Sequence, residues 1–290
     1  MGLLENSNKK EQTKQKEQAA TTEKVVEEES SEFSDKNIED WLFNQNSHIE
    51  DKRITMVLGE DGTGKTGLVL DEIARELRND ETKYAIVLDL DGGSQPLLKH
   101  HNDVKERLIV KDPMIVKKDK NHVEIDFEST MYKIKATADW VARNYQNYNI
   151  TAFVFDGLST LLKHAEKQMR LEKNIAVDGG VQMQFWKKRN DDFENVLDVI
   201  KTIPINSYFI GHTDFIISSD SANIKIKTNA MMHQRIITRR VPGVNDGEVK
   251  LEATISKSKN NPLKENQQVT FMSLEDGVLS FDSSEIFKDL

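Results

Sequence analysis

The chain has 290 residues, 37% hydrophobic and 31% charged, and its net charge of −9 excludes a uniformly basic coat for nucleic acid while leaving room for a local basic groove. The absence of cysteine excludes disulfides, thiolate metal sites and thiol catalysis. No apolar run approaches the roughly 20 residues that cross a bilayer, so we expect a cytoplasmic protein without a membrane partner.

The first 36 residues differ in composition from the rest of the chain. They are rich in Lys, Glu, Gln, Ser and Thr and contain almost no large apolar side chains. Such a segment cannot bury enough apolar surface to offset the entropy lost on ordering. We therefore predict a disordered, charged arm over residues 1–36, which is either a tether for a partner or a solvated tail, and one globular domain over residues 37–290.

Short apolar runs alternate with segments of helical periodicity through the globular part. The apolar runs predict buried strands at residues 54–58, 84–88, 108–110 with 114–116, 151–155 and 207–210. Helical spacing predicts helices at residues 37–43, 67–77, 130–148 and 181–202. An edge strand is predicted at 122–127, and further extended segments at 223–227, 234–238, 249–255 and 268–272. This order predicts an α/β fold whose sheet is mostly parallel, flanked by helices, with a C-terminal antiparallel extension.

One segment carries a specific nucleotide-binding signature. It fits the pattern G-x-x-x-x-G-K-[ST] and reads Gly59, Glu60, Asp61, Gly62, Thr63, Gly64, Lys65, Thr66. In this pattern the glycines let backbone N–H groups wrap the phosphates, and the following helix presents its positive N-terminus to them. We predict that this loop and Gly67 bind ATP, that Lys65 reaches the β- and γ-phosphates, and that the Thr66 hydroxyl binds Mg²⁺.

An acidic position completes the predicted magnesium site. Residues 151–155 form an apolar run that ends at Asp156. A carboxylate at the end of such a strand joins the Mg²⁺ shell in P-loop enzymes, so we predict this role for Asp156 beside Thr66.

The strand predicted after the P-loop helix resembles that of RecA-like ATPases. It ends in Leu88-Asp-Leu-Asp91, where RecA-type proteins carry D-x-E and the glutamate polarises the attacking water. The resemblance makes Asp91 the candidate general base. Because aspartate is one methylene shorter than glutamate, its carboxylate must approach the water more closely. Asp89 and Glu60 are the alternatives, and a capping role in an acidic loop also stays open.

Two later segments extend the resemblance and imply an oligomer. Residues 208–213 resemble the strand that ends in a polar γ-phosphate sensor, which makes His212 the candidate sensor. Lys257 and Lys259, followed by Asn260, resemble the K-x-[KR]-N segment of RecA, DnaB and KaiC relatives. There the basic pair reaches the neighbour's γ-phosphate, so the resemblance implies a ring or filament with ATP at the subunit interface. An exposed basic hairpin is the alternative for this pair.

The segment from Trp186 to Thr213, with its predicted helix, Ile203-Pro-Ile and the I-G-H-T at its end, resembles most the small RecA-like ATPases of phages and archaeal viruses. Some of those assist single-strand annealing, and a viral origin would place the protein in the host cytoplasm. In RecA proteins, the loops after the Asp156 and His212 strands hold single-stranded DNA. Here these are residues 163–180 and 214–240. Candidate DNA-contacting groups in the second are Lys225, Lys227, His233, Arg235, Arg239 and Arg240. A solvated basic loop is the alternative.

The function expected from this resemblance is a DNA-dependent ATPase of recombination, annealing or replication. A helicase-like or packaging motor on the same core is a second hypothesis. A KaiC-like, nucleotide-gated assembly protein that does not use DNA is a third, and a small-molecule kinase a fourth. Few arginines and the late strands argue against the kinase, because such enzymes carry an arginine-rich lid over the phosphates.

Overall fold

The computed structural model describes residues 52–119, 122–176, 178–213, 228, 231–242, 248–275 and 278–288. Several predictions concern residues outside these ranges: the arm over 1–36, the short helix over 37–43, the extended segment over 223–227, and the DNA-contact candidates Lys225 and Lys227. None of the helices in the described ranges combines the length and apolar character that a membrane crossing requires.

Strands and helices alternate through most of the described chain. The strands are β1 (Ile54–Gly59), β2 (Tyr84–Asp89), β3 (Leu108–Lys111), β4 (Val116–Asp119), β5 (His122–Ile125), β6 (Ile150–Asp156), β7 (Asn206–His212), β8 (Gln234–Pro242), β9 (Val249–Ser258), β10 (Gln268–Glu275) and β11 (Val278–Phe281). The helices are α1 (Lys65–Asn79), α2 (Phe127–Asn144), α3 (Leu158–Glu172), α4 (Met183–Thr202) and α5 (Ser284–Phe287), with 3-10 turns at Gln95–His101 and Pro262–Lys264.

One large sheet organises the fold, with the strand order β11-β10-β9-β8-β1-β7-β6-β2-β3. Six neighbouring strands pair in parallel, in the order β8-β1-β7-β6-β2-β3. Strands β9, β10 and β11 continue the sheet with antiparallel pairing. The predicted fold class, a mostly parallel α/β sheet with a C-terminal antiparallel extension, is confirmed. Since parallel strands point the same way, the carboxyl ends of β1, β2, β6 and β7 share one edge, the usual place for a ligand.

Both faces of the parallel strands are covered, which explains their nearly continuous apolar runs. In β1, Met56 and Leu58 belong to one hydrophobic cluster, together with residues of α2, α3 and α4. Val57 belongs to the opposite cluster, which includes residues of α1 and of the C-terminal strands. The sheet is therefore a buried central layer that holds its loops at a fixed edge.

Several predicted segments differ from the structure. The predicted loop over 163–180 is wrong for residues 163–172, which continue helix α3. The second predicted DNA loop is wrong for residues 234–240, which lie in β8. The predicted edge strand over 122–127 pairs with β4 in a separate two-stranded sheet. The sequence does carry a signal for helix α3, because apolar residues recur at helical spacing. These are Leu158, Leu161, Ala165 and Met169, all of which are buried.

Candidate active site

The loop between β1 and α1 has the shape of a phosphate cradle. Gly62 and Gly64 adopt φ values of 71° and 76°, a left-handed conformation that glycine accepts readily. A Cβ added at Gly59 would collide with the hydroxyl oxygens of Thr63 and Thr238. The loop then enters the first turn of α1, where the Leu68 N–H donates to the Gly64 carbonyl at 2.9 Å. A strand, a tight glycine turn and a helix N-terminus therefore follow one another as the sequence pattern predicts.

The Lys65 side chain lies over this loop. Its ammonium group donates to the carbonyl oxygens of Gly59 at 3.1 Å and Glu60 at 2.7 Å. Burial lowers the pKa of Lys65, whereas the nearby carboxylates of Asp61, Asp156 and Asp91 act in the opposite direction. The structure thus places a cation at the position where the sequence pattern expects the β- and γ-phosphates to be met.

The two predicted magnesium residues lie in direct contact. The Thr66 hydroxyl donates to Asp156 Oδ2 at 2.7 Å, and the Ser94 hydroxyl donates to the same oxygen at 3.2 Å. Asp156 is 2% exposed at the end of β6. Burial raises its pKa to about 6, and the charges of Asp89 and Asp91 act in the same direction, against the hydrogen bonds from Thr66 and Ser94.

This donor set fits a magnesium ion that is bound together with a nucleotide. Mg²⁺ in such sites uses one or two carboxylates and otherwise substrate phosphates and water. A hydroxyl and a buried carboxylate beside a phosphate cradle match that description. In the described part of the chain, no group of three or more His, Cys, Asp or Glu side chains is arranged to hold a metal without such help.

Replacing Asp156 with asparagine is expected to stabilise the protein in the absence of nucleotide and magnesium. A folded-state pKa of about 6, above the ordinary 3.8, means that the charged form is disfavoured in the folded protein. This cost is fully present above about pH 6 and disappears as the pH falls toward 4, so the variant should gain roughly 1–3 kcal/mol of unfolding free energy at pH 8 and little at pH 4. Denaturant unfolding at both pH values checks this, and an equal gain at both would contradict it. The stabilisation by Mg²⁺ with ATP should weaken in the variant.

The two aspartates after β2 have different surroundings. Asp89 is 2% exposed and accepts hydrogen bonds from the backbone N–H groups of Gly93 at 3.1 Å and Ser94 at 2.8 Å. Asp91 is exposed, and its Oδ1 accepts a hydrogen bond from the Thr160 hydroxyl at 2.5 Å. Both oxygens of Asp89 therefore hold the loop in shape, which leaves Asp91 better placed than Asp89 as the candidate base.

His212 lies beside the P-loop, as the sequence predicts. It ends β7 and pairs in register with Gly59 at the end of β1. Its Nδ1 lies 3.5 Å from Asp61 Oδ1, and its backbone N–H donates to the Ser159 hydroxyl at 3.4 Å. The partly exposed ring therefore lies at the edge of the cradle, beside the P-loop residue Asp61.

Lys257 and Lys259 lie away from the P-loop of their own chain. Lys257 pairs with Arg235 across β8 and β9, and Arg235 pairs with Met56 of β1. Met56 precedes Gly59 by three residues, which is roughly 10 Å along a strand. The structure therefore does not bring the two lysines into the cradle of the same subunit.

The surroundings of the two lysines form a basic patch, which we define as His233, Arg235, Lys257 and Lys259. The Lys259 N–H donates to the His233 carbonyl at 2.8 Å. Burial lowers the pKa of Lys257, and the charges of Lys259 and Arg235 add to this effect, whereas the nearby carboxylate of Glu265 opposes it. Burial also lowers the pKa of His233, as do the charges of Lys259, Lys52 and Lys257. Four basic groups are thus close enough to act on one another.

The remaining DNA-contact candidates lie on β8 and not on a loop. Arg235 Nε donates to the Ser256 hydroxyl at 2.8 Å. Arg239 forms an ion pair with Glu252 at 2.7 Å and also donates to Gln268 at 3.0 Å. Arg240 is exposed. The sequence therefore overstated the basic character of this segment, because Glu252 on the adjacent strand neutralises one of its arginines.

Sequence reasoning missed Ser94 and Thr160. Ser94 could have been noticed, because it follows two glycines directly after the candidate base. Thr160 carried no signal, because its partner Asp91 is 69 residues away and is reached only through the fold.

No protein-family model matches the chain, and no curated protein sequence matches it. Among solved structures, the chain is similar to a KaiC-like protein from the hyperthermophilic archaeon Pyrococcus horikoshii, with 10% sequence identity and a TM-score of 0.46. The match covers 79% of this chain and 88% of that chain.

Proposed function

We propose that the chain is a magnesium-dependent ATPase of the RecA-like type, which converts ATP and water to ADP and phosphate. The observation that carries the proposal is the 2.7 Å contact between the Thr66 hydroxyl and Asp156. It joins the P-loop to the end of a strand that is not its neighbour in the sheet, since β7 lies between β1 and β6. P-loop enzymes use this pair of groups to hold the metal of Mg²⁺·ATP.

Each residue of the site then has a role. Lys65 and the backbone N–H groups of the loop bind the β- and γ-phosphates. Thr66 and Asp156 hold the magnesium, which when bound neutralises charge on the phosphate oxygens. Asp91 accepts a proton from the attacking water. His212, in register with Gly59, contacts the γ-phosphate. It transmits the presence or absence of this phosphate to the residues that follow β7.

A cleft along α1 provides room for the rest of the nucleotide. Its volume is about 300 Å³. Gly67, Leu97, Met272 and Phe281 line one part of it, and the polar side chains of Asp71, Arg78, His100 and His101 line the remainder. Apolar and aromatic side chains around a partly enclosed cleft suit the face of a nucleobase. In this proposal the base lies between the 3-10 turn that contains Leu97 and the C-terminal strands.

The basic patch gives the proposal its oligomeric part. It lies toward the amino end of β1, away from the chain's own phosphate cradle. A cluster of basic groups stabilises a nearby anion, and the neighbour's γ-phosphate is the anion that the K-x-K-N resemblance suggests. We place Lys257 and Lys259 against the ATP of the adjacent subunit, in a ring or filament with the nucleotide at each interface.

Mixing two inactive variants is expected to restore hydrolysis. Lys257→Ala with Lys259→Ala removes the groups offered to the neighbour, while Lys65→Ala removes the phosphate cradle's cation. In random one-to-one oligomers, about a quarter of the interfaces combine an intact cradle with an intact basic pair, so about a quarter of the wild-type rate should return. Lys105→Ala with Lys135→Ala, which removes two exposed lysines elsewhere, should remain fully active. Absence of recovery in oligomers shown to be mixed would count against action between subunits.

Single-stranded DNA is the substrate that we propose for the assembled ATPase. Strands β8 and β9 extend beyond Gly59, since Gly59 pairs with Thr238 and β8 continues to Pro242. This puts exposed Arg240 on the edge of the sheet that carries the nucleotide site. Nucleotide-gated assembly without DNA is the second candidate, and the ion pair of Arg239 with Glu252 favours it.

Binding of single-stranded DNA, measured by fluorescence anisotropy over a range of salt concentrations, separates these two candidates. If DNA is bound, Arg240→Gln should weaken binding similarly for all sequences and reduce the salt slope by about one, whereas Arg239→Gln should have a smaller effect. ATPase rates with and without DNA, with assembly state monitored, complete the test. Neither binding nor stimulation at low salt would leave nucleotide-gated assembly as the function.

A further inference from the structure

The structure shows how the short side chain of the candidate base Asp91 is held close to the end of β6. Its side chain is one methylene shorter than the glutamate of the resembled ATPases, so its carboxylate has to be brought toward the nucleotide by other means. Strand β2 stays paired with β6 up to Asp89 and Asp156, and the Leu90 N–H still donates to the Asp156 carbonyl at 2.9 Å. The backbone before Asp91 is therefore held close to the end of β6.

Gly157, the residue after Asp156, permits a close approach of the carboxylate. A Cβ added at Gly157 would lie 2.9 Å from Asp91 Oδ1 and 2.9 Å from Leu90 Cβ. Gly157 also has a φ of 118°, where other residues are strained. The Asp91 carboxylate thus packs directly on the backbone between the magnesium ligand and helix α3.

Thr160 fixes the carboxylate in this place. It lies in the first turn of α3, which begins at Leu158, and its hydroxyl donates to Asp91 Oδ1 at 2.5 Å. The N-terminus of a 15-residue helix also carries partial positive charge, which favours an anionic carboxylate nearby. One short hydrogen bond and one helix end therefore act on the same oxygen.

We infer that Thr160 is a positioning residue for Asp91, an inference that rests on the proposed ATPase function. With Oδ1 held by Thr160, Oδ2 is the oxygen that receives the proton of the attacking water. The water oxygen bonds to the γ-phosphorus, its proton passes to Asp91, and the bond from that phosphorus to the bridging oxygen breaks to release ADP. Thr160 touches neither substrate nor metal in this scheme and acts only through Asp91.

Steady-state kinetics of Thr160 variants test this role. Thr160→Val keeps the shape but removes the donor, and it should lower kcat by about tenfold while KM for ATP changes less than about twofold. Thr160→Ser retains the hydroxyl and should recover kcat to within about threefold of wild type. Thr137→Val is the matched control, because the Thr137 hydroxyl donates to the Lys133 carbonyl on α2, outside the site. It should leave both constants unchanged. Melting temperatures of all three variants identify any loss of fold.

A double-mutant comparison distinguishes positioning from a general structural effect. In an Asp91→Asn background, Thr160→Val should cause little further loss of kcat, because residues that act as a unit are not additive. Equal losses in both backgrounds would overturn the inference, as would an unchanged kcat for Thr160→Val in a protein that Asp91→Asn inactivates; the proposed function would survive either result. A wild-type protein that does not hydrolyse Mg²⁺·ATP would overturn both.

Discussion

Lys65→Ala is expected to weaken ATP binding by at least about 10²-fold, because the ammonium group is the main counter-charge to the β- and γ-phosphates and each charge-assisted hydrogen bond contributes about 1.5–3 kcal/mol. In the structure this group is held on the loop by the Gly59 and Glu60 carbonyls at 3.1 and 2.7 Å. It therefore stays at the cradle with little conformational freedom to lose when ATP binds. Calorimetric titration with Mg²⁺·ATP measures the change.

The matched control for this prediction is a lysine with an ordinary surface contact. Lys83 lies 3.9 Å from Asp80 at an exposed turn, far in sequence from the P-loop. Lys83→Ala should bind ATP like wild type and show the same melting temperature within error. If Lys65→Ala bound and hydrolysed ATP as the wild type does, the assignment of residues 59–66 as a phosphate cradle would be wrong.

The parts of the site that were predictable from the sequence are those encoded locally. The cradle depends on glycine conformations and a helix start within eight residues, so its pattern is visible in the chain itself. Asp156 was predictable because a buried parallel strand is a short apolar run and its last residue necessarily falls at the ligand edge. The same logic placed His212 next to Gly59.

Contacts between distant segments were not predictable in this way. Thr160 meets Asp91 only because β2 and β6 are neighbours and α3 starts above them. The ion pair of Arg239 with Glu252 depends on the pairing of β8 with β9, which no local pattern specifies. The prediction for residues 163–172 was wrong for a different reason. The sequence does have helical periodicity there, but the resemblance to RecA proteins led to the prediction of a DNA-binding loop.

The position of the basic patch illustrates how topology changes the meaning of a motif. From the sequence, Lys257 and Lys259 are two cations near the end of the chain. The sheet shows that β9 runs antiparallel to β8, so its end returns to the amino edge, away from the cradle. In this arrangement the two lysines can act in catalysis only on the nucleotide of a second subunit. The mixing experiment therefore decides the oligomeric proposal.

Asp91→Asn is expected to lower kcat by about 10²-fold or more while leaving the affinity for Mg²⁺·ATP within about twofold of wild type, because a general base contributes on this scale and does not itself bind the phosphates. Asparagine has the same shape, and its carbonyl oxygen can still accept the hydrogen bond from Thr160. The loop should therefore keep its geometry while the proton acceptor is lost. Single-turnover hydrolysis beside calorimetric binding separates the two quantities.

Asp89→Asn is expected to affect the protein differently from Asp91→Asn. Asp89 accepts two backbone N–H bonds with its two oxygens, and an asparagine has only one acceptor oxygen for them. Its replacement should lower the melting temperature and weaken both binding and turnover, since the whole loop from Asp91 to Ser94 loses its support. A variant at Asp91 that lost stability in the same way would mark Asp91 as a second structural carboxylate. An unchanged turnover number for Asp91→Asn would instead make Glu60, which is exposed in the P-loop, the candidate base.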